Sequence, residues 1–195
     1  MRVSRTQAAD NRQTVINVAS RLFRERGFGG IGLKDLMEAA GLTQGAFYKQ
    51  FKSKEDLAAQ ASRRAFESAA LRWSDAAAAN PEDPLGAVSA LYLSMTHREE
   101  VMDGCPIVAL GTDAARQSCD VKASFEAGIR VHLELLGRLL GGTDGEEPSD
   151  KAMAILSTMI GALILSRAVN DEQLAERILQ AAARSVQSAS PASDA

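Results

Sequence analysis

The sequence predicts an all-α protein with a small N-terminal helix-turn-helix domain and a larger helical body. Three observations lead to this prediction. Apolar residues recur at helical spacing along most of the chain, no segment alternates as a strand would, and glycine or proline separates the periodic stretches. We expect about nine helices, three in the first domain and about six in the body.

Composition and length fit a globular protein with a real core. The chain has 195 residues, of which 46% are hydrophobic. The N-terminus lacks the apolar segment of a signal peptide, and the longest apolar stretch, 153–165, is too short to span a bilayer. The two cysteines have neither zinc-site nor disulfide-framework spacing. We therefore expect a cytoplasmic protein with no metal, no cofactor and no membrane partner.

The first helix is expected to begin at Asp10 or Asn11 and to end at Arg26. Its apolar positions share one face: Val15, Ile16, Ala19, Leu22 and Phe23. Gly27 is expected to end the helix by taking the left-handed backbone conformation. Phe28 would then fold back into the small core.

Residues 33–51 predict two short helices around a tight turn at Gly41. The first helix has one apolar face, formed by Leu33, Leu36, Met37 and Ala40. The second begins at Gln44, with Thr43 as its N-cap, and its inward residues are Phe47 and Phe51. Its outward residues are Gln44, Gly45, Tyr48 and Lys49. This is the helix-turn-helix pattern, whose second helix can lie in the DNA major groove.

The rest of the chain divides into further helical stretches. A fourth helix should run from near Ser53 to Ala79 and connect the first domain to the body, and 80–84 is a clear break. Later helices are expected at 85–102, 106–115, 121–140, 150–169 and 172–186, with a flexible loop at 141–148. The predicted domains are 1–55 and 56–188, followed by a disordered tail at 189–195.

Charge is distributed unevenly along the chain. The net charge is −3, but residues 1–55 carry +5 and the remainder carries −8. A basic N-terminal module on an acidic body concentrates the phosphate-binding field at one end. A solvated charged face is the alternative explanation, but the positive charge coincides with the helix-turn-helix.

The outer face of the second short helix carries groups suited to DNA. Gln44 can pair with the N6 and N7 atoms of adenine, and Gly45 allows the backbone to approach the bases. Thr43 and Tyr48 can offer hydroxyls to phosphates, and Lys49 and Lys54 offer charge. The alternatives are that Thr43 only caps the helix and that Tyr48 only packs.

Residues 12–57 resemble the N-terminal DNA-binding domain of the TetR family of bacterial transcriptional regulators. The resemblance is carried by Ala19, Leu22, Phe23, Gly27, Phe28, Leu36, Ala40, Gly41, Thr43, Gly45, Tyr48, Phe51, Lys54, Glu55 and Leu57. It implies a repressor that binds a palindromic double-stranded DNA operator as a homodimer and is released by a small-molecule effector. It also strengthens the assignment of Tyr48 and Lys54 to DNA contacts.

One position departs from the family pattern. Similar proteins usually have Ser or Thr at the N-cap of the second helix, where the hydroxyl meets a phosphate, but Gly32 stands here. Glycine is an acceptable cap that makes no such contact. Lys34 matches a position that is often basic and faces DNA in similar proteins, so it is included among the expected DNA contacts.

The resemblance implies two further sites in the body. A ligand cavity is expected among Trp73, Tyr92, Met95, His97, Met102, Cys105, Phe125 and His132, although each of these residues also suits a plain core. A dimer interface in the last two long helices is expected to contain Ile155, Met159, Ala162, Leu163, Ser166, Leu174, Ile178, Leu179 and Ala182. An ordinary intramolecular core is the alternative for this second set.

Three other functions remain open at this stage. Cys105 opens a helix after Gly104, where the helix dipole can lower a thiol pKa, so the protein could be a redox or electrophile sensor of the same fold, with Cys119 as a possible resolving partner. An architectural DNA-binding protein without an effector is a second alternative. A cysteine-dependent enzyme is a third, but no catalytic motif supports it and we expect no catalytic residues.

Overall fold

A computed structural model describes residues 5–143 and 147–188 and shows ten helices within them. They are α1 (Arg5–Arg26), α2 (Leu33–Ala39), α3 (Gln44–Phe47), α4 (Lys54–Ala79), α5 (Pro84–Tyr92), α6 (Met95–Glu99), α7 (Pro106–Ala114), α8 (Cys119–Leu139), α9 (Asp150–Arg167) and α10 (Glu172–Ser188). Neither range contains a strand, so the all-α prediction is confirmed. The predicted disordered tail and part of the predicted loop at 141–148 lie outside the described residues.

The chain forms two compact units. The amino-terminal unit comprises Met1–Glu67 and Val101–Ala127, and the carboxy-terminal unit comprises Ser68–Glu100 and Gly128–Ala195. Both α4 and α8 contribute residues to each unit. The units thus group α7 and the start of α8 with the helix-turn-helix, whereas the sequence suggested a boundary after residue 55, which stays a prediction.

Aromatic side chains hold the first helices of the amino-terminal unit together. The rings of Phe23 and Phe28 lie 5.2 Å apart, and those of Phe47 and Phe51 stack at 5.4 Å. The surrounding residues are almost fully buried: Val15, Ala19, Leu36, Met37 and Leu57. Burying each large apolar side chain contributes about 1.5–3 kcal/mol, so this small core fixes the orientation of α2 and α3.

Two glycines terminate helices where the sequence placed turns. Gly27 has φ 75° and donates to the carbonyl of Phe23, which confirms the predicted left-handed end of α1. Gly41 has φ 72° in the turn between α2 and α3. There the amide of Leu42 donates to Met37 and that of Gly41 to Glu38, which is the Schellman arrangement. A side chain at either glycine would strain the backbone.

The single helix predicted at 85–102 is wrong, because the chain breaks between Tyr92 and Met95. Ser94 acts as N-cap of α6, and its hydroxyl accepts a hydrogen bond from the amide of His97 at 3.1 Å. Periodic apolar residues on both sides of the break concealed it from sequence analysis. This break accounts for ten helices where about nine were expected.

Two arginines join the ends of α6 and α9 within the carboxy-terminal unit. The guanidinium of Arg98 donates to the carbonyls of Ser166 and Val169, at 2.9 and 3.1 Å. In return, Arg167 donates to the carbonyls of His97, Arg98 and Glu100, at 2.7, 2.9 and 3.2 Å. We call this pair the arginine clasp. Each guanidinium satisfies carbonyls that the other helix leaves open at its C-terminus.

Candidate DNA-binding surface and effector cleft

The short helix α3 presents a polar face because its apolar residue is fully buried. Phe47 has no exposed surface, and it anchors α3 on the core. Thr43, Gln44, Gly45, Tyr48 and Lys49 are all exposed, as the sequence predicted. Side chains on this face therefore lie where they can meet a groove, although their roles in DNA binding stay a prediction.

The N-cap residues of α2 and α3 make no capping hydrogen bonds with their side chains. Thr43 has the extended backbone of an N-cap, but its hydroxyl accepts nothing from the first turn of α3. The Thr43 hydroxyl is therefore not used for capping. Gly32 holds the equivalent position before α2, with a φ of −83° that any residue can adopt. A Cβ there would lie 3.4 Å from the Asp35 carboxylate, so a small side chain fits with a slight shift.

Gly45 has no structural requirement for glycine. A Cβ built on it would meet nothing within 4 Å, and its φ is not positive. The residue therefore leaves an open space on the outer face of α3. That observation agrees with close approach of the backbone to another molecule, since glycine in a helix otherwise costs up to about 1 kcal/mol relative to alanine.

Tyr48, Lys49 and Lys34 place a hydroxyl and two positive charges on or near the outer face of α3. Tyr48 is 67% exposed, and its ring meets that of Phe47 edge-on at 5.3 Å. Lys49 is exposed, and Lys34 lies 3.8 Å from Glu38 in a surface ion pair. Such exposed pairs contribute little to stability, so Lys34 can exchange Glu38 for another anion at low cost.

Lys54 has an internal role that the sequence did not reveal. Its ammonium donates to the carbonyl of Ile31 at 2.6 Å and lies 6.0 Å from the centre of the Phe23 ring. It thus fastens the loop before α2 to the start of α4. An ammonium has three donors, so this bond does not prevent a phosphate contact.

The first turn of α4 is stabilised by local hydrogen bonds. The Ser53 hydroxyl accepts from the amide of Asp56, and the Asp56 carboxylate accepts from the amide of Lys52. The hydrogen bond with Ser53 lowers the pKa of Glu55. Burial raises the pKa of Asp56, but the hydrogen bonds from Lys52 and Gln60 outweigh it and leave that pKa below its usual value. These two carboxylates are therefore ionised where the helix dipole favours negative charge.

The residues predicted for the effector cavity fall into both compact units. Met102, Cys105 and Phe125 belong to the amino-terminal unit, where Phe125 packs edge-on against Phe66 at 5.1 Å. The carboxy-terminal unit contains the other predicted residues: Trp73, Tyr92, Met95, His97 and His132. The predicted set therefore does not form one group within a single unit.

Four residues of the carboxy-terminal set form an aromatic cluster. The Trp73 ring meets Tyr92 at 5.6 Å and His132 at 4.7 Å, and Tyr92 meets His97 at 4.7 Å. Burial lowers the pKa of His97 to about 4, although its bond to the Tyr92 carbonyl opposes this. Burial also lowers the pKa of His132, against the effect of the Gly128 carbonyl. Both imidazoles are therefore neutral at physiological pH.

A cleft of about 400 Å³ opens beside this cluster, and we call it the effector cleft. Its lining consists of Arg72, Trp73, Ala90, Leu91, Tyr92, Ser94, Thr96, His97 and Glu100. An ion pair between Arg72 and Glu100, 3.4 Å long, lies at its edge. The volume lies within the range typical of small-molecule sites. Sequence analysis missed Arg72 and Glu100, because no periodic pattern marks a rim charge.

Most residues predicted for the dimer interface are buried within the single chain. The buried ones are Ile155, Met159, Ala162, Leu163, Ser166, Leu179 and Ala182. These side chains form the core between α9 and its neighbours, so they are not on the surface of one chain. Only Leu174, 40% exposed, and the half-buried Ile178 reach the surface. The sequence could not separate the two faces of α9, because apolar residues cover the helix all round.

The outward face of α9 is also apolar. Met153, Ile164 and Leu165 are 44%, 44% and 58% exposed, and Gly161 has open space above its backbone. We call these residues, together with Leu174 and Ile178 of the neighbouring α10, the α9/α10 face. A contiguous exposed apolar patch is typical of surfaces that contact another molecule.

Residues 5–143 and 147–188 contain neither a membrane-spanning helix nor a metal-ligand cluster. None of the helices there is long and apolar enough to cross a membrane. Likewise, no group of three His, Cys, Asp or Glu side chains there is arranged to hold a metal ion.

Comparison with known proteins adds to these observations. The profile of the bacterial regulatory proteins of the tetR family matches residues 15–61. The HTH-type transcriptional repressor NemR of Escherichia coli K12 is 25% identical over 163 residues, which cover 78% of this chain and 82% of NemR. The HTH-type transcriptional regulator AcrR of Shigella flexneri is 41% identical over 56 residues, 29% of this chain and 26% of AcrR.

Solved structures share the whole fold. The reduced form of Escherichia coli NemR gives a TM-score of 0.77 at 23% identity and covers 94% of this chain and 99% of its own. A TetR transcriptional regulator from Chloroflexus aurantiacus gives a TM-score of 0.77 at 25% identity, and the match covers 93% of this chain and 96% of that regulator. The arrangement of both the helix-turn-helix and the helical body is therefore one that occurs in such regulators.

Proposed function

We propose that this chain, which belongs to the TetR family of bacterial regulatory proteins, is a cytoplasmic homodimeric repressor that leaves a palindromic operator when a small molecule binds. The observation that carries the proposal is the outer face of α3. Phe47 is fully buried beneath it, while Gln44, Gly45 and Tyr48 point outward from a basic segment. That arrangement suits the major groove, where side-chain amides read bases and hydroxyls or lysines hold phosphates.

The residues of this surface have separate roles in the proposal. Gln44 pairs with a base edge, and Gly45 lets α3 approach the floor of the groove. Thr43, Tyr48, Lys49 and Lys34 contact phosphates. Lys54 adds a phosphate contact to its bond with Ile31, so it both positions the loop and binds DNA.

The proposed dimer forms through the α9/α10 face. One recognition helix of four residues gives little specificity, and two copies related by a twofold axis read two half-sites. Met153, Ile164 and Leu165 supply exposed apolar surface that a second copy would cover. The interface thus uses the outward side of α9, while the α9 residues first predicted from sequence lie on its buried, inward side.

DNA binding is tested with the intergenic DNA beside the gene and purified full-length protein. Tyr48→Phe retains the ring contact with Phe47 but removes the hydroxyl, and it should weaken binding to every sequence. Gln44→Ala should instead reduce the difference between operator and random DNA by about 1–3 kcal/mol. Gln180→Ala on the exposed surface of α10 is the control and should change neither. If Gln44→Ala weakens binding to operator and random DNA equally, as Tyr48→Phe should, then Gln44 does not recognise a base.

Effector release requires that the ligand favour one conformation of the dimer over another. A ligand shifts such a balance only through its different affinities for the two states. The effector cleft includes Arg72 and Trp73 of α4. The same helix is unbroken from Lys54 to Ala79, and it is the next helix in the chain after α3. We infer that α4 transmits occupancy of the cleft to the DNA-binding helices.

Cys105 gives a second candidate function, a thiol-based sensor of the same fold. Cys105 is the N-cap residue of α7, in the same compact unit as the helix-turn-helix. The buried guanidinium of Arg24 donates to the carbonyl of the preceding Gly104 at 2.8 Å, so this turn is tied to α1. A change at Cys105 would therefore reach a helix that packs against α2. Its 4% exposure argues against rapid reaction, and this is why the pocket mechanism is preferred.

The two mechanisms separate in one experiment. If Cys105 is the trigger, hydrogen peroxide should release the wild-type protein from DNA, and Cys105→Ser should abolish release while retaining DNA affinity. Cys119 is exposed, so Cys119→Ser is the matched control for oxidation outside the proposed site. Release that continues unchanged in Cys105→Ser would eliminate the thiol mechanism and leave the effector cleft.

A further inference from the structure

The effector cleft has an aromatic floor and a charged rim. Trp73, Tyr92 and His97 are all at least 90% buried, and their rings meet at angles between 74° and 86°. Only a small part of each ring reaches the cleft, so a flat molecule would contact the ring atoms exposed there, and aromatic contacts add about 0.5–1.5 kcal/mol beyond area burial. Leu91, 40% exposed, extends the apolar wall toward solvent.

The rim favours an anion over a cation. Arg72 is held by Glu100 at 3.4 Å, and both side chains are partly exposed, so the pair is a weak surface bridge that a ligand can replace. A second guanidinium, that of Arg167, reaches the same residues, because it donates to the carbonyls of His97 and Glu100 at 2.7 and 3.2 Å.

We propose that the effector cleft binds a small aromatic carboxylate, with its ring against Trp73 and Tyr92 and its carboxylate on Arg72. The guanidinium is planar and offers parallel donors that match a carboxylate. Glu100 then loses its partner, and Glu100 is the C-cap residue of α6 whose carbonyl accepts from Arg167. The arginine clasp therefore lies directly behind the exchanged ion pair and connects it to the end of α9.

This inference names the ligand class for the proposed repressor, and its regulatory consequence rests on that function. Binding itself does not, because it is measured without DNA. Trp73 is the one tryptophan in the sequence, so its indole N–H resonance reports occupancy of the cleft directly. The probe is naphthoate, compared with naphthamide, which retains the ring and lacks the charge, and with naphthylmethylammonium, which reverses it.

Naphthoate should shift the Trp73 resonance and bind about tenfold more tightly than naphthamide, as expected for one charge-assisted contact at a partly exposed site. Arg72→Gln should remove this preference, leaving naphthamide binding unchanged. Arg116→Gln is the matched control, because Arg116 is also an exposed arginine paired with a carboxylate, Asp113, at 2.7 Å, but lies outside the cleft. Glu100→Gln should tighten naphthoate binding, since it removes the competitor for Arg72.

Three results with the wild-type protein would overturn the inference. They are no response of the Trp73 resonance to any probe, equal binding of naphthoate and naphthamide, and tightest binding by the ammonium probe. A folded Arg72→Gln protein, shown by an unchanged melting temperature, that keeps the full preference for naphthoate would also overturn it. If naphthoate binds as expected but does not displace protein from operator DNA, the ligand class stands and the proposed release mechanism fails.

Discussion

Gly45 provides a sharp test of DNA approach, because its replacement should help the fold and harm binding. Gly45→Ala adds a methyl group where the structure has nothing within 4 Å, and the backbone at this position is unstrained. The free energy of unfolding should rise by a few tenths to about 1 kcal/mol, since alanine favours the helix more than glycine does. A methyl group that must fit between α3 and the bases should cost about 1–3 kcal/mol of binding, or about 5- to 150-fold in Kd.

The assay is fluorescence anisotropy with operator DNA, together with urea unfolding of the same samples. Gly137→Ala in α8 is the matched control, because a Cβ there also meets nothing within 4 Å. It should raise stability to a similar extent and leave DNA affinity unchanged. If Gly45→Ala binds the operator as well as wild type, α3 does not approach DNA closely through this residue, and the reasoning on its outer face is refuted.

Three further outcomes are expected. Gly32→Ser should bind DNA several-fold more tightly in the anisotropy assay, because the unstrained N-cap of α2 gains a hydroxyl for phosphate, and equal or weaker binding would show that α2 stands away from the backbone. Burial lowers the folded-state pKa of His97 from 6.5 to about 4. Between these values the imidazole binds a proton more readily in the unfolded chain than in the folded chain, so stability falls as the pH is lowered. Urea unfolding should show a loss of about 2 kcal/mol through this residue from about pH 7.5 to about pH 5, and an equal loss in His97→Gln would contradict that assignment. Ile164→Asp should weaken the dimer at least about a hundredfold in sedimentation experiments, whereas Leu71→Asp, an exposed apolar control on α4, should not, and a dimer that tolerates Ile164→Asp places the interface elsewhere.

The helix-turn-helix could be predicted from sequence because local rules determine it. Gly27 and Gly41 are needed at positive φ, and the spacing of Phe47 and Phe51 defines the buried side of α3. Each signal lies within a few residues of its consequence. The exposed face of α3 therefore followed from the sequence residue by residue.

The body was harder to predict because its determinants are not local. Apolar spacing ran through the break at Ser94, whose capping bond with His97 competed successfully with continuation of one helix. The circumference of α9 is apolar on all sides, so periodicity could not separate Met159, in the core, from Ile164, on the surface. The arginine clasp and the rim pair of the effector cleft join residues separated by 28 to 71 positions, and no pattern in a single sequence records such pairings.

The central claim is that two copies of this chain read a palindromic DNA site through α3. The most direct measurement is selection of bound sequences from random duplex DNA by the full-length wild-type protein. The account predicts an inverted repeat, with half-sites about 34–36 Å apart and two chains bound. Recovery of sequences without dyad symmetry, or of no preferred sequence, would contradict it.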